Sequence, residues 1–156
     1  MFTFLVSHTA FTQEDYQDTK LVSTIFKALK NQDEKKALKA LPTLDDIKYL
    51  IPIVKEAQPD YKFPEADVVI ATFKMKTLED FKKISKKGTA FGVVWKDIEL
   101  KEVRYTSNPD PNVDIERGDF VMECISHDTS FLITMRKSSK IRDTWRLMNT
   151  IQFTLL

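Results

Sequence analysis

Glycine is scarce in this 156-residue chain, which contains only Gly88, Gly92 and Gly118, where an average composition would give about 7%. With glycines so placed, neither a G-x-G-x-x-G turn nor a G-x-x-x-x-G-K-S/T loop can be written, and both common phosphate-cradling backbones are excluded. Cysteine is scarcer still. Cys124 stands alone, which rules out an internal disulfide and a multi-thiolate metal site. No run of about 18 apolar residues occurs, so the sequence carries no helical transmembrane segment. Charge of one sign is also missing: 24 Lys plus Arg against 23 Asp plus Glu leave a net charge of +1. That balance lacks the basic footprint of a nucleic-acid binder.

What is present, 42% hydrophobic, 30% charged and 11% aromatic residues, describes a soluble globular domain. A chain of this length buries roughly two-thirds of its unfolded surface without metal or disulfide help. Residues 1–13 carry no formal charge with His8 neutral, and the first charged residue is Glu14. A short apolar stretch (residues 2–6) leads to Ala10-Phe11-Thr12, a small-x-small pattern like a signal-peptidase site. The expected organisation is therefore a signal-peptide remnant over 1–13 and a single α+β domain over 14–156, located in the periplasm or secreted. No Lys or Arg precedes the apolar stretch as an n-region requires, which a start codon assigned too late would explain. The alternative is a terminal strand or helix packed on a cytoplasmic domain.

Beyond residue 13 the hydrophobic period is first helical. Leu21, Ile25, Ala28 and Leu29 mark a helix over residues 14–30, and Asp33 can cap a second over 34–41. Thr43 with Asp46 three residues on resembles a capping box ahead of an apolar face of Leu44, Ile47, Leu50, Ile51 and Val54, with Pro52 expected to kink or divide that helix. Pro64 suits a first helical position. Val69, Ile70, Phe73, Thr77, Phe81 and Ile84 then mark one side of a long helix, with Gly88 as its expected C-terminal cap. The other side carries Lys74, Lys76, Lys82, Lys83, Lys86 and Lys87, which reads as a solvated face or a surface for an anionic partner.

After Gly88 the period becomes two. Strands are expected over residues 94–105, with a bulge near Lys101-Glu102 where the phase slips, and over 120–126, 131–137 and 144–155. The turns between them fall at His127-Asp128-Thr129 and over 138–143. Helices first and an antiparallel meander after is an α+β layout. The helix running into Ala-Leu-Lys-Asn-Gln-Asp (residues 28–33), the short helices, the long helix and a meander closing on a Trp-containing strand resemble the nuclear-transport-factor-2-like (cystatin-like) superfamily, especially small exported proteins of Bacteroidetes-type bacteria. The resemblance implies a sheet curled around the long helix into a cone, in a superfamily that includes isomerases, dehydratases and protein-binding modules.

On that sheet Trp95, Tyr105, Phe120, Phe131 and Trp145 are candidates to line a concave apolar pocket, with core filling as the other reading. Oxygen ligands at Asp110, Asn112, Asp114 and Glu116 alternate as at the start of a calcium loop. Ile115 then stands where the turn needs Gly, and Val121 where a bidentate Glu should close the shell. Arg117-Gly118-Asp119 spells an adhesion tripeptide that a turn glycine explains equally well. Cys124 and His127 lie three apart on a strand and so point to opposite faces. Ser126 or Ser130 with His127-Asp128 cannot form a triad, because adjacent residues do not orient one another. No catalytic set and no cofactor are indicated. The function expected is a non-enzymatic exported module binding a small apolar ligand or a protein, with a homodimer through the outer sheet face as one partner arrangement. A cofactor-free isomerase or hydrolase using a pocket carboxylate, or a structural envelope protein, are the alternatives.

Overall fold

The helical stripe of Leu21, Val22, Ile25, Ala28 and Leu29 forms the buried face of α1 (Lys20–Asn31) in the computed structural model, which describes residues 16–156. The leader assigned to residues 1–13 lies outside the described residues. A turn of 3-10 helix (Tyr16–Asp18) precedes α1, so the helix starts later than its periodicity predicts. Gln32 closes it in the left-handed conformation at φ 51°. Asp33 then caps α2 (Glu34–Ala37) by accepting the Lys36 N–H at 3.1 Å. The expected helix over 34–41 tightens after α2 into a 3-10 turn, Leu38–Ala40.

The capping box at the start of α3 (Leu44–Ala57) is present in full. The Asp46 N–H donates to Thr43 Oγ1 at 3.1 Å, and the Thr43 N–H donates to Asp46 Oδ2 at 2.9 Å. The helix passes through Pro52 as one element, with the proline on its solvent side. In α4 (Ala66–Ala90) the first residue follows an N-cap at Glu65, which leaves Pro64 outside the helix. Gly88 does not end this helix. It is needed inside it, because the Trp95 indole occupies the space a Cβ would take. The chain reverses two residues after the helix instead, at Gly92, whose φ of 90° is open to glycine and strained for other residues.

Five antiparallel strands follow: β1 (Glu99–Ser107), β2 (Arg117–Ser126), β3 (Thr129–Ile141), β4 (Thr144–Arg146) and β5 (Ile151–Leu155). They pair in the order β1-β2-β3, and β4 and β5 both lie against β3. The bulge falls between Leu100 and Glu102, as the phase slip predicts. Three expectations are corrected. Residues Trp95–Asp97 make a 3-10 turn before the first strand begins. β3 runs on to Ile141 through Lys137, which is left-handed at φ 50°, and the Lys137 N–H donates to Asp119 Oδ1 at 2.8 Å. The turn is therefore only Arg142-Asp143, at φ 47° and 67°, the hand that matches strand twist. The last strand is broken because the Leu147 N–H leaves the sheet to donate to Ala40 O at 2.8 Å.

Helices packed on an antiparallel meander make this the α+β architecture read from the sequence. Its apolar interior divides in two. A main cluster lies between α1, the second half of α4 and the inner sheet face. A smaller one, around Ile47, Leu50 and Ile141, joins α3 and the first half of α4 to the end of β3.

Candidate functional site

Tyr105, Phe120 and Trp145 come together within the main cluster. Their ring centroids lie 5.1 Å (Tyr105–Phe120), 5.4 Å (Tyr105–Trp145) and 5.0 Å (Phe120–Trp145) apart, and Tyr16 stacks on Tyr105 at 4.8 Å. Trp95 meets Phe131 edge-on at 5.8 Å in a separate group, and Phe131 stacks on Phe153 at 5.1 Å. The Trp95 Nε1–H is satisfied by Ser85 O at 3.2 Å and Thr89 Oγ1 at 3.1 Å. Phe120 and Phe131 have no exposed surface. These rings fill space under the sheet, and the open crevice described below has another lining.

The acidic connection between β1 and β2 spends its oxygens on its own backbone and on cations of the protein. Asp110 Oδ1 accepts the Asn112 N–H at 2.9 Å, and Asp110 Oδ2 accepts from Arg117 Nη1 at 3.2 Å. Glu116 faces Lys140 at 3.6 Å, and Asp114 points to solvent. Among the described residues no three His, Cys, Asp or Glu side chains converge as metal ligands. Burial, with a smaller contribution from the charge of Glu123, pushes the Cys124 thiol up to about 12. The thiolate a nucleophile needs is thereby suppressed. His127 turns away to the surface, where its Nε2 meets Asp97 Oδ2 at 3.0 Å.

An ion cluster that no local pattern announces ties α3 to the β3–β4 hairpin. Asp46, almost fully buried, accepts from Arg142 Nη2 at 2.7 Å and faces Arg146 Nε at 2.9 Å. Burial acts to raise its pKa, but the bonds from Arg142 and the Thr43 N–H and the charge of Arg146 outweigh it and hold the carboxyl below its usual range. Arg142 also lies over the Tyr49 ring at 5.4 Å.

Next to this cluster the smaller core is left open. A crevice of 180 Å³ runs between Leu50 and Val54 of α3, Val113 and Ile115 of the β1–β2 connection, and Met148. Its polar rim is Gln58 and the Asp110–Arg117 pair, and Arg117 is further fixed by donating from Nε to Asn108 O at 2.7 Å. The arrangement is an apolar slot in which Asp110 and Arg117 are paired with each other, with Gln58 and Ser139 as its further polar groups, a lining suited to desolvating an apolar group. The sequence assigned Leu50 and Val54 only to a helix face. Val113 and Ile115, two apolar residues alternating inside an acidic loop, were the signal available for the other wall.

No family model matches the chain, and no curated protein matches it. Among solved structures it is similar to the crystal structure of a cystatin-like protein from Ruminococcus gnavus, with a TM-score of 0.62 and 15% identity. The fold is cystatin-like. The similarity covers 87% of this chain and 44% of that one, so the chain spans less than half of the cystatin-like structure. At this identity it is the fold that is shared. Among the described residues no helix is long and apolar enough to cross a membrane.

Proposed function

We infer that this cystatin-like chain is an exported, non-enzymatic binding module whose crevice between α3 and the β1–β2 connection receives an apolar side chain of a protein partner. The observation that carries the reading is the crevice volume of 180 Å³, below the range of about 300–1,000 Å³ typical of small-molecule pockets. A slot of that size with an apolar floor and a polar rim matches the pocket for one anchor residue at a protein interface. Export is supported by the uncharged residues 1–13 and their small-x-small end, and sequencing the amino terminus of the protein from its own host tests it, a retained Met1 overturning it.

The test of the site is a methyl-NMR titration with leucine and phenylalanine amides beside a fatty acid. The amides are expected to shift the methyls of Leu50, Val54, Val113, Ile115 and Met148, and the fatty acid to leave them in place. Preferential binding of the fatty acid, or a lipid seen on the natively purified protein by native mass spectrometry, would overturn the protein-partner reading. The outer sheet face supports a second arrangement, since Val121, Ile125 and Leu132 are only half-buried there. Sedimentation of a Leu132→Arg variant against the parent chain tests a homodimer through that face.

A further inference from the structure

The edges of the sheet are closed in one place and open in another. Backbone groups of an edge strand point alternately into the sheet and away from it. On β5 two of the outward groups are held by α4: the Ile151 N–H donates to Asp80 Oδ2 at 3.2 Å, and Phe153 O accepts from Lys87 Nζ at 3.3 Å. β4 offers only three residues. β1 spans nine and pairs with β2 alone. The Asn108 N–H donates to Arg117 O at 2.9 Å in the register of the two strands, which puts Glu102, Arg104 and Thr106 in the phase bonded to β2. Val103 is in the other phase. Its N–H and C=O point out of the sheet, and nothing bonds them among the described residues.

The charges on this edge say what fits it. Glu102 and Arg104 are exposed on either side of the buried Val103, and neither has an ion partner among the described residues. Glu102 also stands directly opposite Glu123 of β2, a like-charge pair that disfavours the strand. An acid and a base placed symmetrically about an outward-bonding residue form a self-complementary edge. Laid antiparallel on a second copy, with a two-fold axis at Val103, each Val103 exchanges both backbone bonds with its counterpart and each Glu102 faces an Arg104. An unrelated strand would leave these charges unmatched, which guards the edge against chance pairing. We propose that the chain forms a two-fold dimer through its β1 edge, joining two sheets into one, with Glu102 of each copy on Arg104 of the other. The bulge between Leu100 and Glu102 ends the regular edge on one side and keeps the pairing short.

Sedimentation equilibrium of the full chain up to about 1 mM tests the proposal, a range set by the weakness of small interfaces. A reversible dimer is expected. Glu102→Lys and Arg104→Glu each turn two attractions into repulsions and should weaken it by about tenfold or more. The double variant, with the two charges exchanged, should restore it. Glu102→Lys also removes the like charge facing Glu123, so the Tm of the dilute protein should hold or rise while the dimer is lost, which separates association from folding. The Val103 amide should exchange quickly in dilute protein and slow down as the dimer fills. Leu132→Arg, on the outer sheet face, should leave this dimer intact. A chain monomeric throughout, a dimer indifferent to the single swaps or lost in Leu132→Arg, a double variant that fails to recover, or a Val103 amide equally slow at every concentration would each overturn it.

Discussion

Beneath the middle of the sheet Phe120, Met122, Phe131, Ile133 and Met135 have no exposed surface, and edge-on and stacked rings close the space between them. Between α3, the first half of α4 and the end of β3, the fully buried apolar residues are Ile47, Leu50 and Ile141, and Ile51, Val69, Ile70, Ile115 and Met148 keep part of their surface in water. The first region is held by shape, since interlocked rings leave no alternative packing. The second is held by a single buried carboxylate between two arginines, and its apolar side chains stop short of filling the space beside them. The proposed crevice lies at the edge of the smaller core, where the apolar surface is organised but not covered.

The sharpest way to break this contrast is to cut one residue from each region. Phe120→Ala should cost about 3–5 kcal/mol in urea unfolding, as a transfer loss plus a cavity that rings on all sides prevent from collapsing. Ile115→Ala should cost about 1 kcal/mol and abolish the methyl shifts caused by leucine amide. Equal costs for the two variants would mean that the smaller cluster is as tightly built as the larger. Next in size is Asp46→Ala, expected at about 2–3 kcal/mol, below the usual cost of breaking a buried pair because half-exposed Arg142 is screened by water. The same carboxyl predicts an acid limb. Its folded pKa lies below its unfolded one, so its contribution is complete above about pH 3.9, the unfolded value, and is lost as pH falls through the lowered folded value. Asp46→Asn should flatten the pH dependence of unfolding in that window, and an unchanged acid limb would remove the ion cluster as the tie of the smaller region.

Much of the first region was legible from the sequence, because its rules are local or periodic. The stripe from Leu21 to Leu29, the bulge at Lys101 and the turn at His127-Asp128, which the sequence extended to Thr129 where β3 already begins, each follow from spacing within a few residues. The second region depends on contacts across the chain. Asp46 meets Arg142, 96 positions further along the chain, and its capping-box role, which the sequence did announce, gives no hint of that partner. The strand errors share this cause. Lys137 is a left-handed non-glycine residue sustained by a bond from its N–H to Asp119, and the break after β4 exists because Ala40, on a distant helix, captures the Leu147 N–H. Gly88 misled in a different way: it looked like a helix stop, and what it provides is room for an indole.

Close approach in the main cluster gives the next prediction. Gly118 sits under the Tyr105 ring, and a Cβ there would overlap it. Gly118→Ala should therefore cost about 1–3 kcal/mol by overpacking and disturb the aromatic ring shifts of Phe120 and Trp145, which share contacts with Tyr105. The crevice should be spared; amide probes that bind the variant poorly would show that the two regions are coupled through β2.

The smallest effect tests whether the β1–β2 connection belongs to the smaller core through its charges or only through Val113 and Ile115. Glu116 faces Lys140 across 3.6 Å with both side chains substantially exposed, a geometry in which water screening and side-chain entropy absorb most of the attraction. Glu116→Gln should change unfolding free energy by less than about 0.5 kcal/mol and leave the leucine-amide shifts in place. The connection would then be anchored by its two apolar residues and by Arg117, which holds Asn108 O and Asp110 on the opposite side of the loop. A loss comparable to that of Ile115→Ala would instead make the ion pair part of the crevice wall, and its binding would then weaken with added salt in the parent chain and not in the variant.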